Sequence, residues 1–351
     1  MQILSLNSLF IEGIEYDVPS KKKTMLGIQP TLFILFFLLF NNCKSTDLIQ
    51  ENEIDYKEEM RTFVKEISAF AKKQDPEFIV IPQNGHRLIS TTGEPNGSAI
   101  TSYLEAVDAL GQEDLYYGYE LDDISTPDDA TKYLEFFLDL GKAAGKKIFV
   151  TDYAFTQSKM TDSYLKNSVR GYVSFAADQR DLNNIPSYPA RIWSENNNSV
   201  TNIQNAKNFL YLINPGAFNS KNEYLNAIAE TNYDMVIMDA FYMGEILTSA
   251  DLELIRTKAN GGSRLLISYM SVGEAEDYRY YWDSSWEIGA PSWLIAENPN
   301  WGGNYKVSYW EDEWKQYIIG NADSYLQKII DMGFDGTYLD IIQGFEYFEF
   351  R

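Results

Sequence analysis

Five acidic residues end or follow short apolar segments of the sequence, where neighbouring strands could bring their carboxyl groups together. They are Glu113, Asp152, Asp239, Glu274 and Asp340. Hydrolysis of a glycosidic bond typically uses two carboxyl groups, of which one protonates the leaving oxygen and the other attacks the sugar or activates water. The pattern is compatible with that chemistry. Because 51 of the 351 residues are acidic, a structural or binding role is the alternative for each acid taken alone.

Polar and aromatic residues beside these acids could hold a sugar. Asn84 follows an apolar segment and can bond two hydroxyl groups, whereas Tyr269 precedes Glu274 on another segment. Trp310 belongs to a Trp-rich region, and aromatic faces pack on sugar rings and attract cations. Packing in the core is the alternative for most of these aromatic residues. The candidate substrate-binding residues are therefore Asn84, Asp152, Asp239, Tyr269, Glu274 and Trp310.

The composition excludes several classes of protein. An apolar content of 45% provides for a large core, and a net charge of −22 argues against nucleic acid as a partner. Such a charge suits a cationic or neutral ligand, although solubility alone could explain it. The chain has one histidine and one cysteine, which disfavours a histidine-based triad, a zinc site or an internal disulfide. We predict no metal and no organic cofactor.

The first 43 residues have the layout of an export signal. A basic cluster, Lys21-Lys22-Lys23, precedes an apolar run from 32 to 40 and then Cys43. This order resembles a bacterial lipoprotein signal, in which the cysteine is lipidated; simple export is the alternative. We therefore predict a signal segment over 1–43, a polar tether over 44–55, and an exported lipoprotein at the periplasmic or outer surface, with the membrane as partner through its lipid anchor.

Strands and helices alternate along the rest of the chain. Helical spacing of apolar residues predicts a helix over 56–73. A second helix is predicted to begin near 125, where hydroxyl side chains, a proline and acidic residues follow one another as they do at a typical helix start, and to run to about 141. Residues 157–205 show little periodicity and are interpreted as an excursion or linker. Eight strands are predicted, at 78–82, 107–110, 146–153, 208–215, 234–239, 264–274, 292–296 and 336–341.

Eight alternating units predict an α/β protein with a parallel sheet, and specifically a (β/α)₈ TIM barrel. A doubly wound sheet is the alternative, but it usually has a glycine-rich phosphate turn that this sequence lacks. The segment after Asp340 contains no clear covering helix, whereas the helix over 56–73 precedes its own strand. In a closed barrel these two features complement each other, so we predict one barrel over 56–351 in which the first helix lies beside the last strand, with neighbouring chain ends of the kind that tolerate circular permutation.

The sequence also resembles a known family. The segments MDAFYMG, KANGGSRLLISYMSVGEAEDYRYYW, ENPNWGGNYKVSYW and GFDGTYLDII are similar to proteins related to glycoside hydrolase family 114, the endo-α-1,4-polygalactosaminidases, some once labelled cysteinyl-tRNA synthetase-related. The segments FIVIPQNG, ALGQEDLYYGYELDD and AGKKIFVTDY resemble the same family. Residues 56–180 resemble its carboxyl-terminal half, 206–351 its amino-terminal half, and 181–205 form the linker. The order of the halves is swapped, so the resemblance implies a circularly permuted barrel.

The resemblance implies roles for two of the acids. Asp340 matches an aspartate after the family's fifth strand and would be the nucleophile or stabiliser. Glu113 matches a glutamate at the end of the seventh strand and would be the general acid/base. The implied substrate is an α-linked amino-sugar, galactosamine-type or related polysaccharide. The alternatives are a non-catalytic carbohydrate-binding lipoprotein on the same barrel and a surface interaction protein. Carboxyl groups about 5–5.5 Å apart would indicate retention and about 6.5–9.5 Å inversion.

Overall fold

The structure, a computed structural model, describes residues 54–351. The predicted signal segment, Cys43 and nearly all of the tether lie outside the described residues. The helices are α1 (Tyr56–Gln74), α2 (Thr101–Ala106), α3 (Asp128–Ala143), α4 (Gln157–Arg170), α5 (Lys221–Ala229), α6 (Ser249–Arg256), α7 (Asp312–Ile318), α8 (Tyr325–Met332) and α9 (Phe345–Glu349). Within this part of the chain no helix is long and apolar enough to cross a bilayer.

The strands fall into parallel and antiparallel groups. They are β1 (Ile79–Pro82), β2 (Ala109–Glu113), β3 (Lys147–Tyr153), β4 (Val173–Ala177), β5 (Leu210–Leu212), β6 (Met235–Asp239), β7 (Phe241–Tyr242), β8 (Glu245–Ile246), β9 (Leu265–Ser271), β10 (Glu274–Glu276), β11 (Leu294–Glu297), β12 (Asn304–Val307) and β13 (Gly336–Asp340). One parallel sheet has the order β1-β13-β9-β6-β5, and a second has the order β2-β3-β4. The predicted α/β class with a mainly parallel sheet is confirmed.

The strands of the parallel sheets are almost completely buried. All seven residues of β9 and all five of β13 are buried, as expected for parallel strands that helices cover. Helices α3, α4 and α8 pack against β3, β4 and β13 respectively. The continuous apolar runs that predicted these strands are therefore explained by burial on both faces.

The two parallel sheets meet between β1 and β2. Gln83, directly after β1, forms a parallel bridge with Gly111 of β2. The amide of Asp108 donates to the carbonyl of Val80 over 2.9 Å, and the amide of Val80 donates to a carboxylate oxygen of Asp108 over 2.8 Å. The hydroxyl of Tyr211 on β5 donates to the Gln83 side chain over 2.9 Å. Side chains from the two edge strands of the first sheet, β1 and β5, thus meet in one interior, and the bridge from Gln83 continues that sheet to β2.

One of the eight predicted strands does not join the parallel sheets. Residues 292–296 contribute to β11, which pairs antiparallel with β12 in a small sheet that also contains β10. The eighth parallel strand is β4, which follows α4 in a region predicted to be a linker. That prediction was wrong because the buried face of α4 is partly polar and gives little hydropathy signal, comprising Met160, Ser163, Tyr164 and Asn167.

This exchange changes the strand positions of the two principal acids. Counted from β5, Asp340 ends the fourth parallel strand rather than the fifth, and Glu113 ends the sixth rather than the seventh. Glu113 is also the last residue of β2 and not a loop residue. The strand extends this far because Gly111, Gln112 and Glu113 all pair with β3.

Helix α1 has the predicted amphipathic pattern. Its first turn is capped by Asp55, whose carboxylate accepts from the amide of Glu58 over 3.0 Å. The helix packs against α8 and α9, and β1, which follows α1, pairs in parallel with β13. The first and last of the described strands are therefore neighbours. The fully buried apolar residues of α1 are Met60, Phe63, Val64, Ile67 and Ala71.

Candidate active site

Glu113 ends β2 and is held on both carboxylate oxygens. The hydroxyl of Tyr153 donates to Oε1, and the side-chain amide of Asn84 donates to Oε2 over 2.8 Å. The backbone amide of Glu113 donates in turn to Oδ1 of Asn84 over 2.9 Å. Burial raises the pKa of Glu113, and the nearby charge of Asp114 adds to this, whereas the bonds from Tyr153 and Asn84 lower it. Glu113 is thus an oriented carboxyl group that retains its proton more readily than an exposed one.

Asp340 ends β13 and is oriented in a similar way. The hydroxyl of Tyr269 donates to Oδ2 over 2.8 Å, and the backbone amide of Ile341 donates to Oδ1 over 2.8 Å. Burial raises the pKa of Asp340 to about 7, and repulsion from the Glu113 carboxylate is the second cause. The two carboxyl groups are therefore close enough for the charge of Glu113 to affect the ionisation of Asp340.

The backbone after Asp340 is strained. Ile341 has a φ of +59°, in the left-handed region that a β-branched residue rarely adopts. Such a conformation costs on the order of 1–3 kcal/mol and persists only where surrounding packing imposes it. Here it directs the Ile341 amide at the Asp340 carboxylate.

A single narrow cavity touches both carboxyl groups. It has a volume of about 30 Å³, and its lining includes Glu113, Tyr153, Arg180, Tyr269, Glu274 and Asp340. A volume of this size holds about two water molecules. The cavity lies at the carboxyl ends of the parallel strands, which is where parallel α/β enzymes bind their substrates.

Strand register explains which side chains reach this cavity. Glu113 pairs with Thr151 across β2 and β3, so Thr151 and Tyr153 face the same side as Glu113, whereas Asp152 faces the opposite side. Alternation along β3 therefore selects Tyr153 for the cavity and excludes Asp152.

Asp152 was predicted to bind substrate, and the structure gives it another role. It is completely buried. One carboxylate oxygen accepts from the amides of Tyr116 and Tyr117, and the other accepts from the Ser163 hydroxyl over 2.6 Å. Burial raises its pKa to about 6. Asp152 thus fixes the loop after β2 to α4 and does not line the cavity.

Glu274 places a third carboxyl group at the cavity. Its Oε1 accepts from Asn298 over 2.9 Å and from the ammonium group of Lys306 over 3.2 Å. Its Oε2 is buried and has no hydrogen-bond partner among residues 54–351. Burial raises the pKa of Glu274, and Lys306 opposes that shift. A ligand that donates a hydrogen bond could satisfy Oε2.

Arg180 lines the same cavity and was not predicted. Its guanidinium group lies 3.9 Å from the ring centre of Tyr153, and it donates to Asp114 over 2.8 Å and to Asp122 over 2.5 Å. It thereby supports the tyrosine that bonds Glu113. The sequence signal was a single basic residue in a segment interpreted as linker, which is too weak to single it out.

The remaining predicted residues lie around the cavity or away from it. Asn84 positions Glu113, and Asp239 lines a neighbouring cleft, where it accepts from Arg279 over 2.9 Å. Trp310 packs against Tyr56 and Phe348, with ring centres 5.1 and 4.7 Å away, and is not part of the cavity lining. Its placement follows from its position before α7, beside α1 and α9. Another tryptophan from the same region, Trp301, lines the cavity.

No group of three or more His, Cys, Asp or Glu side chains in residues 54–351 is arranged to hold a metal ion. The three carboxyl groups at the cavity instead have tyrosine, asparagine, lysine and backbone donors. Their arrangement suits proton transfer and attack at carbon by carboxyl groups.

Comparison with known proteins gives relatives that match part of this chain. An uncharacterized protein of Methanocaldococcus jannaschii is 41% identical over 154 residues, which are 43% of this chain and 42% of that protein. Uncharacterized proteins of Deinococcus radiodurans and Thermotoga maritima are 38% and 39% identical over 35% and 34% of this chain, and over 37% and 36% of their own lengths. The matches span about two fifths of each of these relatives.

The model of the glycoside-hydrolase family GH114 matches residues 196–349. This range includes Asp340, Glu274, Tyr269 and Asp239, whereas Glu113, Asn84 and Arg180 lie outside it. The resemblance inferred for residues 206–351 is therefore confirmed: residues 196–349 of this chain are similar to the glycoside-hydrolase family GH114, whereas the resemblance inferred for 56–180 lies outside the match.

Proposed function

We propose that this protein is a glycoside hydrolase that cleaves an α-linked amino-sugar polysaccharide, of the galactosamine type or related to it, with Asp340 and Glu113 as its carboxyl pair. The observation that carries the proposal is that both carboxyl groups line one cavity at the carboxyl ends of parallel strands. Each is buried, and each accepts a hydrogen bond from a tyrosine. The match to family GH114 supports the same reaction class.

In this proposal Glu113 is the general acid/base and Asp340 is the nucleophile or the stabiliser of the cationic transition state. Glu113 transfers a proton to the leaving glycosidic oxygen, and the Asp340 carboxylate attacks or stabilises the anomeric carbon. Burial raises the pKa of both groups, and the charge of Glu113 raises that of Asp340 further, which favours retention of a proton at this site near neutral pH. Tyr153 and Tyr269 hold the two groups in their separate orientations.

An amino-sugar suits the cavity because its unpaired groups are mostly acceptors. Oε2 of Glu274 and the side-chain oxygen of Gln343 have no hydrogen-bond donor among the described residues. A ligand with hydroxyl and ammonium groups supplies the missing donors, and the charge of −22 favours a cationic polymer. The rival proposal is a carbohydrate-binding protein without hydrolysis. The narrow cavity would have to open to place a sugar ring at the carboxyl pair, whereas binding elsewhere on the surface needs no such change.

Release of reducing ends from α-1,4-galactosamine polymers tests the proposed function. We expect the purified protein to release them, and the Asp340→Asn/Glu113→Gln double variant to release none. Asp323→Asn and Glu253→Gln are matched controls, because these side chains are 92% and 78% exposed and lie on the surface. A folded wild-type protein that binds the polymer without cleaving it would establish the rival proposal instead.

We further propose that the parallel strands close into one (β/α)₈ barrel whose halves are in permuted order relative to the family. Support comes from the bridge between β1 and β2, from the proximity of β4 to β5, and from the ring of Tyr211, which lies 5.3 Å from that of Tyr338 within the interior. Strands β1 and β13 are already paired.

A reordered gene tests this arrangement. It would encode residues 191–351, a short glycine linker, and residues 55–190, which restores the family order. The rings of Tyr56 and Phe348 are 5.3 Å apart, so a short linker can join these ends. We expect the circular dichroism spectrum and the hydrolytic activity of the natural order to be retained. An unfolded product would contradict the permuted barrel, provided that the natural order folds under the same conditions.

Export and anchoring through Cys43 also remain a proposal, which rests on the signal-like order of residues 21–43. Labelling of the expressing cells with a fatty-acid analogue should mark the wild-type protein and not Cys43→Ser. An equally labelled variant would show that this cysteine is not the attachment point.

A further inference from the structure

A larger cleft opens beside the carboxylate cavity. It has a volume of about 650 Å³ and is formed by the loops after β4, β5, β6 and β10. Ile213 lines both the cleft and the cavity. Volumes of this size are typical of sites for small organic ligands. A polymer held at the carboxyl pair could therefore extend into the cleft.

Arg279, which lines the cleft, has a buried hydrogen-bond donor without an acceptor among the described residues. Arg279 has a side chain that is 3% exposed, and it donates through Nη1 to Asp239 over 2.9 Å and through Nε to Glu276 over 2.5 Å. Its Nη2 has no acceptor among residues 54–351. Because a buried unpaired donor is costly, a ligand that supplies an oxygen atom here would be favoured.

The charges around Arg279 indicate which kind of oxygen fits. Two carboxylates, from Asp239 and Glu276, already surround the single positive charge of the guanidinium group. A carboxylate or phosphate ligand would add a further negative charge to a site that has an excess of them. A neutral carbonyl oxygen accepts the bond without that repulsion.

The wall next to Arg279 is apolar. The guanidinium carbon lies 5.5 Å from the ring centre of Phe241, which stacks on Tyr280 at 5.8 Å and an interplanar angle of 23°. Met243, also in the lining, is 71% exposed. A carbonyl oxygen at Arg279 would therefore have a methyl-sized apolar surface beside it, and an acetamido group combines these two features.

We propose that this cleft binds an N-acetylated sugar unit of the same polymer chain whose unacetylated unit lies at the carboxyl pair. The acetamido oxygen accepts from Nη2 of Arg279, and the methyl group packs on Phe241. This inference rests on the proposed function and makes it more specific, because the preferred substrate becomes a partly N-acetylated polymer.

Defined galactosamine oligosaccharides test the inference, with and without one N-acetyl group. We expect the wild-type protein to have a KM at least about tenfold lower for the mono-acetylated oligomer. In Arg279→Lys, which keeps the charge but loses Nη2, the ratio of the two KM values should fall to about one. Ala217→Trp is a second variant, since Ala217 is an exposed residue of the cleft and a bulky side chain would fill it. The matched control is Arg191→Lys, because the Arg191 side chain is 79% exposed.

Titration with N-acetylgalactosamine, compared with galactosamine, separates this inference from the proposed function. One outcome is that the acetylated sugar binds, that Arg279→Lys and Ala217→Trp both weaken this binding, and that no hydrolysis occurs. This outcome would support the proposed binding site in the cleft and contradict the proposed hydrolase function. Hydrolysis with equal KM values for both oligomers, together with no preference in the titration, would refute the proposed N-acetyl binding site in the cleft and leave the proposed hydrolase function standing. Circular dichroism of each variant confirms that its fold is retained.

Discussion

Replacement of Asp340 by asparagine is expected to abolish hydrolysis of the polymer and also of aryl glycosides with an activated leaving group, by a factor on the order of 10⁴. The reason is that both substrates need the carboxylate at the anomeric carbon, whatever the leaving group. Asparagine has the same shape: its single side-chain oxygen can accept from the Ile341 amide, and its NH2 group can donate to the hydroxyl oxygen of Tyr269. The loss would therefore report the missing charge and not a collapsed site.

Glu113→Gln should behave differently with the two substrates. A poor leaving group needs a proton from Glu113, so polymer hydrolysis should fall by about 10²–10⁴. An activated aryl leaving group departs without that proton, and its release should fall far less. Initial rates for both substrates, in both variants and in Asp323→Asn, give the comparison. If Asp340→Asn spares the activated substrate and Glu113→Gln does not, the two roles are reversed.

Asp340→Asn is also expected to stabilise the folded protein above pH 7. Burial raises the folded-state pKa of Asp340 to about 7 from an ordinary value of 3.8. A raised carboxyl pKa means that the folded state binds the proton more tightly than the unfolded state. Stability is therefore lost as pH rises from about 4 to 7. The difference of roughly 3 pKa units corresponds to about 4 kcal/mol in the free energy of unfolding.

Urea unfolding at pH 4 and at pH 8 measures this effect. The variant should match the wild-type protein at pH 4 and exceed it by up to about 4 kcal/mol at pH 8, because asparagine needs no proton. Asp323→Asn, at the surface, should show no such dependence. Equal differences at both pH values would show that Asp340 is not titrating near neutral pH in the folded protein.

Sequence patterns were sufficient to predict the helices and strands whose burial requires runs or regular spacings of apolar residues. Helix α1 and strands β1, β6, β9 and β13 follow from runs or spacings of apolar residues, and carboxyl groups placed at strand ends converge because parallel strands end on the same side. Thus Glu113, Tyr269, Glu274 and Asp340 were all predicted as site residues, and all four line one cavity.

Strand register and the burial of polar side chains could not be predicted from the sequence. Alternation along β3 places either Asp152 or Tyr153 at the cavity, and only the pairing of Glu113 with Thr151 decides between them. The sequence of helix α4 lacks a clear apolar periodicity because two of its buried residues, Ser163 and Asn167, are polar. They form hydrogen bonds with each other and with Asp152. Arg180 follows β4, so the missed strand and the missed arginine have a single origin.

The position of β13 between β1 and β9 has a consequence for folding. This strand is the last of those described, yet it is an interior member of its sheet, so the sheet lacks a central strand until residues 336–340 have been synthesised. Pairings between residues so distant in sequence form slowly, because a large loop must close first. We expect the carboxyl pair to assemble in the last stage of folding, since Glu113 leaves the ribosome early and Asp340 late. A nascent chain that does not yet contain β13 would accordingly lack one of the two carboxyl groups of the cavity.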